Sequence, residues 1–213
     1  MKITKLGHCC LIVETSGIRI MTDPGNYSTK QNEAKDIDVI LISHEHTDHL
    51  HIESLQQVLA NNPEAVVYTN SSVGKLLDAA VPPIPYQIIE QGDRKEVKGA
   101  SIEGFGKDHA PIYKELELVL NTGYMIDGRF FYPGDSFYVP SKSVEILALP
   151  IAGPWMKISE ALGYAQAVKP KACIPVHDGN LRKFGGTHRH PKTVLEPLGI
   201  SFIPMGEGDT IEI

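Results

Sequence analysis

A buried-looking apolar run, residues 37–42, breaks directly into His44-Glu45-His46-Thr47-Asp48-His49, and no other feature restricts the fold as tightly. Four to eight apolar residues in a row with β-branched members read as a short interior strand. A helical pattern begins near Leu50 and runs to about Ala60. Three histidines and an aspartate are therefore packed into one strand-to-helix turn, where backbone curvature can aim them at a common centre. Imidazole with carboxylate suits zinc and other first-row divalent ions. A closed site takes about four such ligands, so further ligands from elsewhere would imply a second ion.

The remaining chain supplies a scaffold for such a turn. Residues 3–6, 9–15 and 18–22 read as strands, the last two joined by the Ser16-Gly17 turn. Asp23-Pro24-Gly25 follows as a strand-end aspartate in a forced turn, and the polar stretch 26–36 reads as a loop near the site. A strand over 66–69 and a helix from Ser71, its expected N-cap, to Ala80 come next. Pro82, Pro83 and Pro85 end that helix, and 86–105 is β-rich. Strands over 117–126 and 130–132 flank Asp127-Gly128, a strong hairpin pair. Then follow strand 144–149, helix 158–168, strand 171–176, a helix near 191–195, and strands 201–204 and 210–213. This order predicts one α/β (α+β) domain over residues 1–213, with two layers of sheet and outer helices.

Three further ligand types stand at strand ends: His109, Asp135 in Pro133-Gly134-Asp135-Ser136, and His177 after Cys173-Ile174-Pro175-Val176. Taken singly, each is ordinary turn or strand-end chemistry. Taken together with 44–49, the sequence resembles the metallo-β-lactamase-fold hydrolases. The match is the run His44-x-His46-x-Asp48-His49, then His109, Gly134-Asp135-Ser136 and His177 in that order, with Asp23 upstream. Gly7-His8-Cys9, Thr22-Asp23-Pro24, Leu149-Pro150-Ile151 and Ile174-Pro175-Val176-His177 resemble the lactonase-like branch related to ascorbate-phosphate lactonase.

The resemblance implies a four-layer αββα sandwich with the site at one edge. It implies two divalent ions, zinc first, with manganese, iron or nickel as alternatives. His44, His46 and His109 would hold one ion; Asp48, His49 and His177 the other; Asp135 would bridge. Asp48 would also orient the nucleophile as a catalytic residue, and Asp23 would fix a ligand histidine or the 44–49 turn. His8 is expected near the pocket, orienting substrate or donating a proton, or else as a satisfied strand-end histidine. Trp155 with Met156 is a candidate pocket wall. Arg182, Lys183, Arg189, His188 and His190 lie in a stretch read as a loop that could contact substrate, and His51 reads as exposed. His-x-His disfavours the oxygen-reducing di-iron branch, and Asp at 135 in place of Cys disfavours antibiotic hydrolysis.

Composition excludes several classes. The 213-residue chain is 42% hydrophobic and 22% charged, as a packed domain requires. Its net charge of -6, without a basic block, argues against nucleic acid and anionic membrane as partners. No apolar run approaches the ~18 residues of a bilayer span. Three cysteines, two of them adjacent, suggest no disulfide framework, and a cytoplasmic location is expected. The reading is a metal-dependent hydrolase of a small, anionic ester or lactone. A phosphodiesterase or nuclease and a non-catalytic metabolite-binding module are its alternatives; a homo-oligomer is left open.

Overall fold

A computed structural model describes residues 1–213 except 115 and 117. In chain order the first strands are β1 (Lys2–Gly7), β2 (Cys10–Thr15), β3 (Ile18–Thr22), β4 (Val39–Leu41), β5 (Val66–Thr69) and β6 (Gln87–Ile88). There follow β7 (Arg94–Val97), β8 (Ala100–Phe105), β9 (Gly123–Ile126), β10 (Phe130–Tyr132), β11 (Ile146–Pro150), β12 (Ala172–Val176), β13 (Ser201–Phe202) and β14 (Thr210–Glu212). They form two seven-stranded sheets, ordered β14-β1-β2-β3-β4-β5-β6 and β13-β12-β11-β10-β9-β8-β7. The helices are α1 (Ile52–Asn61), α2 (Ser71–Ala79), α3 (Ile158–Val168) and α4 (Gly185–Leu195).

Strand alternation sorts the apolar residues into three layers. Leu11 and Val13 of β2, Val39 and Leu41 of β4, Ile146 and Ala148 of β11, and Ile174 and Val176 of β12 meet between the sheets. Their neighbours Cys10, Ile12 and Ile40 face outward onto Leu55 and Val58 of α1 and Val73 and Leu77 of α2. On the far side Leu147, Leu149 and Cys173 pack with Ala161, Tyr164 and Ala165 of α3 and Leu195 of α4. At roughly 1.5–3 kcal/mol per buried large aliphatic side chain, these layers are the main stabilising term. The αββα sandwich is thus present. The three cysteines are free and buried. Among the described residues no helix is long and apolar enough to cross a membrane.

The Asp127-Gly128 hairpin forms, with φ of 51° and 61° at its two central residues and Phe130 opposite Ile126. Several local expectations are corrected. Asn70, not Ser71, caps α2, its side chain accepting from the Ser72 and Val73 amides. His51 caps α1 by accepting from Ser54 N–H. The strand expected over 117–126 is confined to Gly123–Ile126, and Glu117 lies outside the described residues. The stretch holding His188 and His190 is helix, because α4 starts at Gly185, six residues before Pro191. Gly185-Gly186 read as a loop on propensity; tertiary contacts of His188 and Leu195 override it.

Candidate metal centre

Every site residue follows the C-terminal end of a strand: His8 after β1, Asp23 after β3, 44–49 after β4, His109 after β8, Asp135 after β10 and His177 after β12. The C-terminal ends of strands from both sheets therefore supply the site. His8, Asp23 and His177 have φ of 38°, 34° and 61°, backbone that non-glycine residues adopt where their surroundings impose it.

The 44–49 turn is held from several sides. The Ile42 carbonyl accepts from Thr69 Oγ1 at 2.9 Å and Tyr124 OH at 2.8 Å, and the Ser43 carbonyl from Asn70 Nδ2 at 2.8 Å. Asp23 accepts from Ser43 N–H at 2.7 Å, Ser43 Oγ at 2.5 Å, His49 Nδ1 at 2.6 Å and Tyr132 OH. Gly25 closes the underside. A Cβ there would stand 1.9 Å from the Asp48 carbonyl oxygen, so no other residue fits.

These outer partners set the histidine tautomers. Asp23 accepts a hydrogen bond from His49 Nδ1–H, which in the neutral ring leaves the Nε2 lone pair facing inward. His109 Nδ1 donates to the Ala110 carbonyl at 2.5 Å, with the same result. Ser43 spends its one proton on Asp23, so His44 Nδ1, 3.0 Å away, is the donor to Ser43 Oγ and His44 Nε2 also carries a lone pair. His49 Nε2 and His109 Nε2 then lie 3.2 and 3.4 Å from Asp135, lone pair against carboxylate. Both nitrogens, and Asp135 Oδ1, are buried without a hydrogen-bond partner. In the neutral form such an arrangement repels itself; the metal-free protein relieves it by keeping protons on His49 and His177 beside Asp135, and a metal ion would take the place of those protons, so the donor set fits a metal.

Two four-residue groups have ligand atoms within 4.8 Å of one another: His44, His46, His109 and Asp135, and His8, Asp48, His49 and His177. Asp135 touches both, with His177 Nε2 at 2.9 Å and His44 Nε2 at 3.9 Å besides His49 and His109. Gly134, at φ 61°, permits this by approaching Asn121, whose Oδ1 accepts from Asp135 N–H at 2.9 Å. Burial alone would raise the Asp135 carboxyl; the charges of His49 and His177 overcome it and hold it well below the usual range. Burial, then His49, pushes His44 well below an ordinary imidazole, and burial with His109 lowers His46. His49 and His177 go the other way: burial lowers them, but Asp135 wins and raises both.

His8 is oriented oppositely to the ligands just described. Gly179 N–H donates to its Nδ1 at 3.0 Å, and its Nε2 lies 3.2 Å from Asp48 Oδ2. Burial lowers the His8 pKa while Cys9 and Asp48 raise it, to about 9. Yet the Gly179 hydrogen occupies the space a proton on Nδ1 would need, so the geometry holds the neutral Nε2–H form. Trp155 packs edge-on against His109 and His177, with ring centroids 5.8 and 5.7 Å away. His188 lies outside both ligand groups: its Nε2 is 2.9 Å from Asp178 Oδ2, and its ring stacks on Phe184. Arg182 is exposed, and so is His190.

Sequence reasoning passed over Ser43, Tyr132, Lys5, Asp178 and Cys9. Lys5 is 1% exposed and binds Asp178 Oδ1 at 2.6 Å and the Pro175 carbonyl at 2.9 Å. The signal was available: Lys5 shares the inward face of β1 with Ile3. Cys9 groups with His49 and Asp135 within the same 4.8 Å limit.

Residues 2–177 match the beta-lactamase superfamily domain. Protein Rv0786c of Mycobacterium tuberculosis is 34% identical over 182 residues, covering 83% of this chain and 84% of that protein. A UPF0173 metal-dependent hydrolase of Carboxydothermus hydrogenoformans is 30% identical over 195 residues, covering 83% and 84%. Igni18, a metallo hydrolase from the archaeon Ignicoccus hospitalis, shares the fold with a TM-score of 0.76 at 21% identity, covering 100% of this chain and 98% of that one. With the His/Asp cluster at the strand ends, these likenesses place the chain in the beta-lactamase superfamily, as a metal-dependent hydrolase on the metallo-β-lactamase fold.

Proposed function

We propose that the chain hydrolyses a small carboxylic ester or lactone at a two-ion centre, with zinc the first candidate metal. The observation that carries this reading is Asp135, a buried carboxylate in contact with histidines of both ligand groups. His44, His46 and His109 would hold one ion and Asp48, His49 and His177 the other, with Asp135 shared. Bound there, the pair supplies Lewis acidity and a water acidic enough to serve as nucleophile near neutral pH.

The chain's own side chains do the positioning. Burial raises the Asp48 carboxyl, but the His8 hydrogen bond and the charges of His49 and His177 bring it down to about 2. Asp48 is therefore an acceptor that orients the attacking water rather than a strong base. His8 Nε2–H holds Asp48 Oδ2, the oxygen that also faces His177 Nε2 at 3.6 Å and His49 Nε2 at 3.9 Å. Because its Nδ1 is committed to Gly179, His8 reads as a fixed donor instead of a proton shuttle. Asp23 keeps the His49 lone pair pointed inward. Trp155 walls the centre at His109 and His177 and keeps bulk water from that side.

Hydrolysis of lactone and ester panels beside a phosphodiester panel tests this, using metal-reconstituted protein and Asp135→Asn. Ester or lactone turnover that falls about 100-fold or more in the variant is the expected result, above the roughly 10- to 100-fold typical of losing an outer partner of a metal ligand. Turnover of phosphodiesters alone would overturn the substrate class. Unchanged turnover and metal content in Asp135→Asn would overturn the shared carboxylate.

A further inference from the structure

Strands β1 and β2 are joined by two residues, His8 and Cys9, with Gly7 paired to Cys10 across the turn. The tip of a two-residue hairpin ordinarily carries glycine, asparagine or aspartate and stands in water. This one is 1% exposed at both residues and carries an imidazole and a thiol. It is held from two sides. The Cys9 carbonyl accepts from Thr22 Oγ1 at 2.7 Å, and that hydroxyl accepts from Leu11 N–H at 3.1 Å. The His8 carbonyl accepts from His177 N–H at 3.2 Å, and a Cβ on Gly179 would stand 2.7 Å from His8 Cβ. The turn is thus built into the metal centre rather than left at the protein surface.

The three cysteines differ in their surroundings. Cys10 packs in the layer of α1 and α2, and Cys173 in the layer of α3 and α4. Cys9 lies between the sheets with Leu11 and Val13, where a small apolar side chain would fill the same space. Two observations give its sulfur a further use. Cys9 Sγ, a ring nitrogen of His49 and a carboxylate oxygen of Asp135 lie within 4.8 Å of one another. His49 Nε2 and Asp135 Oδ1 are buried without a hydrogen-bond partner, and His49 Nδ1 is committed to Asp23. We propose that Cys9 joins His49 and Asp135 as a sulfur ligand of the centre, bound as thiolate with its proton released to solvent, and so widens the preference for zinc over manganese. Imidazole and carboxylate by themselves accommodate zinc, manganese, iron or nickel, whereas thiolate suits zinc and manganese prefers oxygen.

The sulfur ligand rests on the metal centre and not on which bond the protein hydrolyses. Cobalt(II) makes it visible, because thiolate bound to cobalt absorbs strongly in the near ultraviolet by charge transfer and histidine or carboxylate does not. Chelator-treated protein is titrated with cobalt(II), and uptake is counted by elemental analysis. The band should appear in wild type, Cys10→Ser and Cys173→Ser and vanish in Cys9→Ser, with Cys9→Ala as the apolar replacement should serine disturb the core. In competition between zinc and manganese, the preference for zinc should fall by roughly tenfold or more in the Cys9 variants, at least the scale of losing an outer partner of a ligand. Cobalt bound to wild type without the band would overturn the sulfur ligand. So would a band that persists in Cys9→Ala. A band lost in that variant with the metal preference unchanged would keep the ligand and overturn the selection of zinc. Failure of wild type to bind any metal would overturn the centre and the ligand with it. Ester and lactone turnover enters none of these measurements, so the hydrolysis reading stands or falls separately.

Discussion

The two flanks of the centre are built on opposite plans. The 44–49 turn is cross-tied: Asp23 alone accepts from Ser43 twice, His49 and Tyr132, and Gly25 packs against the turn's backbone. The 177–190 flank contributes one ligand in the described clusters, His177, followed by Asp178, whose carboxylate joins buried Lys5 to His188. On the first flank the supporting bonds end on ligand residues or their neighbours. On the second they end one residue away from the ligand and run back into β1 and α4. The difference teaches where geometry is enforced: the turn holds the ligand set, and the second flank holds the segment that carries His177.

The largest effect should come from Asp23→Ala. It strands Ser43 N–H, Tyr132 OH and His49 Nδ1 in a fully buried setting, which costs about 3–5 kcal/mol by the scale of broken buried networks. It also frees His49 to flip its tautomer, so metal content should fall with stability. Chemical denaturation beside elemental analysis measures both. Full metal retention in a destabilised variant would show that the cross-tie serves folding only.

A change of pH probes the same flank in the metal-free protein. Asp48 is pulled from 3.8 to about 2, so its contribution is complete above pH 3.8 and disappears as pH falls through 2. His49 and His177 are raised, so theirs is complete below 6.5 and lost as pH rises through their folded values. In the chelator-treated protein the raised His49 and His177 should therefore make stability decline in alkali, while the lowered His44 and His46 oppose them by losing stability as pH falls below 6.5. The acid limb below pH 4 is shared by Asp48 and Asp135, so Asp48→Asn should shrink it. With zinc restored the alkaline decline should vanish, because the ion replaces the protons. An alkaline limb that survives zinc would place its cause outside the ligands.

How much of this could be read from sequence follows from locality. His44, His46, Asp48 and His49 share one turn, so their spacing announced them; His109, Asp135 and His177 needed the family order to be joined. The two-sheet sandwich was legible because strands 18–22 and 66–69 carry clean β patterns, and β3 and β5 match them residue for residue. The supports were not legible. Ser43, Tyr132 and Asp178 act through partners 20, 109 and 173 positions away, and nothing local distinguishes such a tyrosine from a core one. His188 misled for the reason α4 did: glycines suggested a loop, whereas Asp178 and Phe184 hold the ring in a helix.

The smallest expected effect sharpens the contrast. His188→Ala removes one hydrogen bond to Asp178 and a stacked ring on Phe184, centroids 4.2 Å apart. Asp178 keeps Lys5, so its charge stays paired. The loss should be about 1 kcal/mol, the net worth of a single such bond, with metal content unchanged. Thermal unfolding and metal analysis against wild type decide it. If an ion is lost with so small a change in stability, the second flank enforces the position of His177 as strictly as Asp23 enforces that of His49, and the two flanks share one plan after all.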